Sequence, residues 1–322
     1  MKQKLNNPPI RYLFSNQLNL SDFGLEKPFT KCAKRLLKNN KNDYKFNKLV
    51  KFIENAYNYA VMIFPKYSND FSKKLYSQPA LFTILAIKIY TKSTYRQVMD
   101  LLNLSDNILR FLGIKKAPHF TTIQKFFQKV SETKLKEINK LNNQGNVEKC
   151  ELIALDGTGF TNDYADKYYA KIRKKERKSY VKNHITIDVH SRFILHYSVQ
   201  RGPKYDTNFA IPAIRQIKKF KPKYILADKA YDTETIRKCI NEEAKAIDQI
   251  PLKKRAKKGY YRLNSQTIFR KTIYSKRNNV ESVISVIKRL FQGTNHSRSL
   301  KLSNKETKLK NTNYNIYQTT QK

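Results

Sequence analysis

Three carboxylates stand in settings that suit chemistry at phosphorus. Asp156 closes an apolar run in LDGTGF, and Asp228 closes another in LADKAYD. Glu281 lies in YSKRNNVESVISVIKRLF, residues 274–291. There Val280, Val283, Ile284, Ile287, Leu290 and Phe291 recur at helical spacing and form an apolar stripe. Arg277, Glu281 and Lys288 are four and seven residues apart. At about 100° per residue they fall within roughly 40° of one line along the helix. Taken alone, an acid between two bases is an ordinary solvated ion-pair face. Two further acids at strand ends, in a very basic chain, give it a second reading.

Ligands of α/β sheets gather at the carboxyl ends of strands, so Asp156 and Asp228 are expected to face one crevice. Glu281, on a helix closing the same sheet, is the third member. Three carboxylates repel one another unless a cation neutralises them, and Mg²⁺ (or Mn²⁺) accepts such hard donors. Two ions about 3.5–4 Å apart can activate a nucleophile and stabilise the leaving oxygen of an in-line displacement. The chemistry expected is therefore metal-dependent phosphodiester hydrolysis or transfer. Arg277 and Lys288 suit phosphate, and Tyr274, one turn back, can stack on a base or donate to a phosphate. Asp188, in a strand, and Asp206, at a helix start where capping is the default role, are neighbours of the site at most. Asp163, Asp166 and Asp232 follow turns and read as solvated or capping. The isolated histidines (His119, His184, His190, His196 and His296) have no Ser or Cys partner pattern, which disfavours nucleophilic catalysis.

The chain has 322 residues and a net charge of +40, with a pI near 10.0. With 40% hydrophobic and 12% aromatic residues it can build a core. Such an excess of cations calls for a polyanion, and nucleic acid is the usual one, although Lys- and Asn-rich usage accounts for part of it. Cys32, Cys150 and Cys239 form no CxxC pair, so neither a structural zinc nor a disulfide framework is expected, and a reducing compartment fits. The first residues lack a continuous apolar signal segment. The strongest apolar run, 80–87, is too short to span a bilayer. A soluble cytoplasmic, nucleoid-associated protein is expected.

The elements that must position these residues follow in order. Residues 1–45 read as a loosely ordered basic arm. Helical patterning begins near 46, and Pro79 sits in the first turn of a helix through ALFTILAIKIY. Thr94 to Gln97 has capping-box spacing, Ser105 can cap DNILRFLG, and Thr121 to Gln124 opens TTIQKFFQKV. Three short helices fit a helix-turn-helix unit or a plain helical bundle, within an all-helical region 46–148. Beyond Cys150, strands are expected at 151–156, 184–189, 193–200, 223–228 and 244–250, the second and third joined by a hairpin at Ser191-Arg192. Helices are expected in NFAIPAIRQIKKF and TETIRKCINEE. Three strands, then helix, strand, helix, strand, helix is the order of a ribonuclease H-like α/β fold, a mixed sheet flanked by helices, over 149–295. A polar tail, 296–322, follows. KIRKKERK (171–178) and KKRAKKGYYR (253–262) read either as solvated loops or as surfaces that track nucleic acid.

The pattern Tyr274-x-x-Arg277-x-x-x-Glu281-x-x-x-x-x-x-Lys288 resembles the Tyr-Arg-Glu-Lys signature of DDE transposases from prokaryotic insertion sequences, the superfamily of insertion-sequence families four and five. DGT at Asp156 and ADKAYD at Asp228 are similar to its first two acid motifs, with Ala230 where relatives often carry Gly. YRQV and the Pro118…Thr121-Thr122 stretch look like its N-terminal helical region, so the likeness covers roughly 76–291. The segment 251–281 is too short for the large β insertion of some relatives, which favours the family-five side. The resemblance implies that Asp156, Asp228 and Glu281 hold two Mg²⁺ (or Mn²⁺) ions, while Tyr274, Arg277 and Lys288 grip phosphates beside the cleaved end. It implies binding to terminal inverted repeats, cleavage to a 3′-OH, strand transfer into target double-stranded DNA, and a homodimer in the synaptic complex. A catalytically decayed DNA-binding relative and a metal-dependent nuclease are the alternatives.

Overall fold

The computed structural model describes residues 44–147, 150–162, 180–254 and 258–321. The basic arm and the 171–178 segment lie outside the described residues. So do Cys32, Asp163, Asp166 and part of 253–262. The helical region comprises α1 (Tyr44–Ile63), α2 (Gln78–Tyr90), α3 (Tyr95–Asn103), α4 (Asp106–Phe111), α5 (Phe120–Lys129) and α6 (Glu132–Asn146). Its start signals act as expected in two cases. Pro79 sits in the first turn of α2 behind the Ser77 cap, and Thr94 and Gln97 exchange both bonds of a capping box. They fail in two others. Ser105 makes no side-chain cap, and α5 begins at Phe120, with Thr121 paired to the His119 ring at 2.8 Å instead.

The sheet runs β3-β2-β1-β4-β5, from β1 (Leu152–Asn162), β2 (Tyr180–Asp188), β3 (Ile194–Arg201), β4 (Tyr224–Ala227) and β5 (Ile247–Gln249). The first three strands are antiparallel, and β4 and β5 run parallel to β1. That is the ribonuclease H-like mixed order, with the expected hairpin at Ser191-Arg192, where Arg192 takes φ 61. β1 is longer than its apolar run. Gly157-Thr158-Gly159 continues the ladder against His184, Asn183 and Lys182. β5 is shorter than expected because Ala244 and Ala246 belong to the turn before it. The helices α7 (Thr207–Ile217) and α8 (Glu234–Lys238) cover one face of the sheet with Ile153, Leu155, Ile225 and Ala227. The other face, carrying Ala154, Phe160, Val181 and Leu226, packs against the helical region and α11 (Asn278–Phe291). Before α11 come α9 (Tyr260–Ile268) and α10 (Lys271–Tyr274), and a 3₁₀ turn, Ser275–Arg277, joins α10 to α11.

The expected polar tail is instead a helix, α12 (Leu300–Thr319), following a two-residue strand, β6 (Thr294–Asn295), on the far end of β1. α12 is buried on nearly every side from Ser303 to Ile316, with few apolar residues to explain it. Most of its polar groups are paired, although the Oδ1 atoms of Asn304 and Asn313 have no hydrogen-bond partner among the described residues. Asn311 and Asn183 exchange amide bonds of 2.9 and 3.0 Å. Asn315 both accepts from and donates to the Ile194 peptide at 2.9 Å, beside a register shift of the β2–β3 ladder. Lys310 donates to the Gln292 and Thr294 carbonyls and pairs with Glu306, which also caps the Ser297 turn. A buried polar group left unpaired costs about 1–3 kcal/mol, so this helix holds its place by matched bonds more than by an apolar stripe. Among the described residues no helix is long and apolar enough to cross a membrane.

Candidate active site

Leu155 of β1 stands opposite Ala227 of β4, so Asp156 and Asp228 follow on a level on adjacent parallel strands, about 5 Å apart at Cα. Asp156 shares the alternation of Ala154 and faces α11, while Asp228 is exposed one residue past the end of β4. Asp156 takes the Gly157 N–H at 2.7 Å. Asp228 takes the Lys229 N–H at 2.6 Å and caps the short turn Lys229–Tyr231. Glu281 projects from the first turn of α11. The stretch 274–291 is not one regular helix, because the 3₁₀ turn lies between Tyr274 and Asn278, but the residues across the junction keep helical dihedrals. The Arg277–Glu281 pair therefore survives.

Arg277 ties the site together. Its guanidinium donates to Asp156 Oδ2 at 3.3 Å and to Glu281 Oε1 in a closer contact, and its plane lies 6.0 Å from the Tyr274 ring centre. Arg277 and Asp156 are mostly covered, whereas the Glu281 side chain is 54% exposed and is the one free to turn. Burial raises the Asp156 pKa, with Asp206 and Glu281 adding to it, against the Gly157 N–H and Arg277. Burial works against the Arg277 cation, but Tyr274, Asp156 and Glu281 together hold its pKa above the usual value. Burial likewise raises Tyr274, with Arg277 lowering it and Asp228 and Glu281 raising it. An open cleft of about 620 Å³ runs from Asp156 and Thr158 past Glu281 to Lys288 and Arg289. Lys288 lies 5.8 Å over the Phe160 ring, and burial lowers its pKa. Of the six expected site residues, Asp156, Glu281 and Lys288 line this cleft, and Arg277 and Tyr274 adjoin them. Asp228, exposed just past the end of β4, is bonded only to its own turn among the described residues.

Three lesser candidates take other places. Asp206 joins the site from the opposite face of the sheet. It makes no side-chain cap for α7, and its carboxylate pairs with Lys182 at 2.9 Å in the space beside Gly157. Asp188 does not join it. It is buried at the other end of β2 and binds the Ser191 N–H and hydroxyl at 2.8 and 2.5 Å. Asp232 is neither solvated nor capping, but buried between Arg237 and Arg262 at 3.0 and 2.8 Å, which fastens α9 to α8. The sequence reading missed Tyr231, buried with its hydroxyl unpaired, whose pKa is raised by burial and then by Asp206, Asp156 and Asp228. It also missed Lys182, for which the sequence carries no signal.

Carboxylate oxygens are the donors that Mg²⁺ and Mn²⁺ prefer, so the chemistry of the set fits such ions. The present spacing is a different matter. Among the described residues no three Asp, Glu, His or Cys side chains stand close enough to share one ion. The Arg277 guanidinium occupies the place between Asp156 and Glu281, as the local counter-charge.

A family model described as the transposase DDE domain matches residues 149–316. The chain belongs to that family. The matched span of this transposase-family chain runs from β1 into the last turns of α12, and includes the six residues expected at the site. No curated protein sequence matches it. Among solved structures it is similar to a piggyBac transposase synaptic complex with hairpin DNA, at 9% identity and TM-score 0.47, over 90% of this chain and 75% of that one. It is also similar to a pre-cleavage Mos1 transpososome, at 12% identity and TM-score 0.23, over 94% and 96%. A Mos1 mariner paired-end complex with Mn gives 12% and 0.23, over 89% and 91%.

Proposed function

We propose that this transposase-family chain binds the terminal inverted repeats of an insertion sequence of the family-four and family-five superfamily, on the family-five side, and carries out DNA cleavage and strand transfer. The observation that carries the reading is the arrangement of Asp156 and Asp228 level on two parallel strands, with Arg277 linking Asp156 to Glu281 from α11. Asp156, Asp228 and Glu281 would hold Mg²⁺ or Mn²⁺. Ions bound there would supply an activated nucleophile and a stabilised leaving oxygen. Arg277, once it turns from Glu281, presents its two-pronged donor to a phosphate oxygen. Lys288 lies along the same cleft and adds a second cation for the backbone. Tyr274, held against Arg277, has a face for a base at the cleaved end. The +40 charge suits duplex DNA, at the element's ends and at the target, and a homodimer would bring two ends together. The protein would act in the cytoplasm, at the nucleoid.

One observation favours a second reading, a catalytically silent DNA-binding relative: Arg277 already neutralises two of the three acids. The test is a Mg²⁺-dependent assay on labelled DNA carrying the element's own ends, wild type beside Glu281→Gln. Cleavage and joining by the wild type alone supports the transposase. Cleavage without joining moves the reading to a nuclease, and binding without cleavage in both moves it to the silent relative.

A further inference from the structure

A second charged cleft, of about 560 Å³, opens at the outer edge of the sheet, between α6, the edge strand β3 and the 3₁₀ turn after α7. Its floor is apolar, from Leu195, Tyr197 and Phe220. Its rim is cationic. Lys136 and Lys140 lie one helical turn apart on α6, and Lys219 faces them from the other side of the strand. Gln144 and Gln216 add uncharged amides, and no carboxylate lines the cleft among the described residues. None of the three lysines forms an ion pair with a described carboxylate, although the chain pairs other lysines, such as Lys182 and Lys308.

The charges in the cleft act on one another. Burial lowers the Lys219 pKa, and Lys140 lowers it further. His196, beneath the rim, is held down to about 4 by burial and then by Lys136 and Lys219. Guarding a sheet edge from pairing is a common task of lysines. At the start of the strand that task falls to other groups: Asn139 and Asn143, on the neighbouring stripe of α6, both donate to the Ile194 carbonyl at 3.0 Å. The Lys219 ammonium lies 5.0 Å over the Phe220 ring, and the three cations gather around one concave surface, an arrangement that costs repulsion until an anion enters.

We propose that this cleft binds the sugar–phosphate backbone of duplex DNA at a place separate from the carboxylates. The assignment rests on the DNA-processing role proposed above. Along the ladder Asp156 stands beside Ile185 and Ile185 beside Tyr197, so the cleft floor lies two strands, roughly 10 Å, from the first carboxylate. A duplex is wide enough to reach both, so the cleft holds DNA flanking the phosphate being cut.

The test compares the salt dependence of binding to a duplex bearing the element's end. Each phosphate contact contributes about 0.9 to the slope of log K against log salt. Lys136→Gln, Lys140→Gln and Lys219→Gln together are expected to lower the slope by about 2–3, with cleavage at saturating DNA unchanged. A control triple, Lys223→Gln, Lys238→Gln and Lys245→Gln, makes the same charge change beside β4 and β5, outside the cleft, and should lower it by less than about 1. Equal losses in the two triples, or no loss in the first, overturns the assignment, as does loss of cleavage at saturation in a folded first triple. A single Lys140→Gln, with an expected loss of about 1, serves if the triple does not fold. Failure of the wild type to bind or cleave any duplex overturns the role proposed above instead, so the two failures are told apart.

Discussion

The Asp206 carboxylate occupies the space that a side chain at position 157 would fill: its Oδ1 lies 1.9 Å from where a Cβ on Gly157 would stand. Lys182 closes the same space, its Cε 3.0 Å from that point. The glycine of the DGT motif is therefore a matter of room rather than of backbone freedom, since its backbone continues an ordinary strand. Gly157→Ala should push Asp206 and Lys182 aside and cost about 1–3 kcal/mol, the usual range for overpacking. Adding Asp206→Ala should recover most of that loss, because the obstacle is gone. A double-mutant cycle in urea measures the coupling, and additive effects would mean the two residues do not meet.

Arg277 is the counter-charge for Asp156 and Glu281, so a divalent cation must compete with it. Arg277→Gln removes the competitor and leaves the two carboxylates repelling each other. Mn²⁺ should then raise the Tm of the variant more than that of the wild type, while the metal-free variant is the less stable of the two. A ligand at a hundredfold excess over its Kd stabilises by about 2.7 kcal/mol, which sets the size of shift to look for. Equal Mn²⁺ shifts in the two proteins would show that the guanidinium does not stand in the ion's way.

How far the sequence speaks depends on which force places each residue. Asp156 and Asp228 were legible because apolar runs end at them, and the periodicity of burial marks strands well. Glu281 and Arg277 were legible because a four-residue step survives the short 3₁₀ interruption before α11. Asp206 read as a helix cap, since nothing local says that its carboxylate reaches across to a strand 49 positions earlier in the chain. Asp232 read as solvated, since its partners Arg237 and Arg262 come together only once α8 and α9 dock. α12 was illegible for a deeper reason. Its burial is carried by amide-to-amide and lysine-to-carbonyl matches, and hydrophobic patterning cannot register these.

That account of α12 is open to test at Asn315. Replacing it with Leu keeps the branched shape and the number of heavy atoms and adds apolar surface, so a helix buried by the hydrophobic effect would be stabilised. Here the Ile194 N–H would lose its partner, and the Asn139 carbonyl oxygen would lose the amide that donates to it. At about 1–3 kcal/mol for each abandoned group, Asn315→Leu should cost at least about 2 kcal/mol. Chemical denaturation reads this directly, and a neutral or stabilised variant would refute the polar account.

His184 gives a pH dependence with a definite sign. It is buried on β2, stacked on Phe209 at 5.6 Å, and neither ring nitrogen has a hydrogen-bond partner. Burial holds its pKa down to about 3, with His196 and Lys182 contributing. The folded state therefore favours the neutral ring, while the unfolded chain takes up a proton near 6.5. This contribution to stability is complete above about pH 6.5 and is lost as the pH falls toward 3, at up to about 1.4 kcal/mol per pH unit. His196, held down to about 4, adds a similar loss over the upper part of that window. Replacing His184 with Leu removes one of the two titrations and a buried, unpaired imidazole. The variant should match or exceed the wild type at pH 7.5, and its advantage should grow steadily as the pH is lowered from 6.5 to 4.5. Denaturation midpoints at four or five pH values measure that slope, and parallel curves for the two proteins would mean that His184 is protonated in the fold after all.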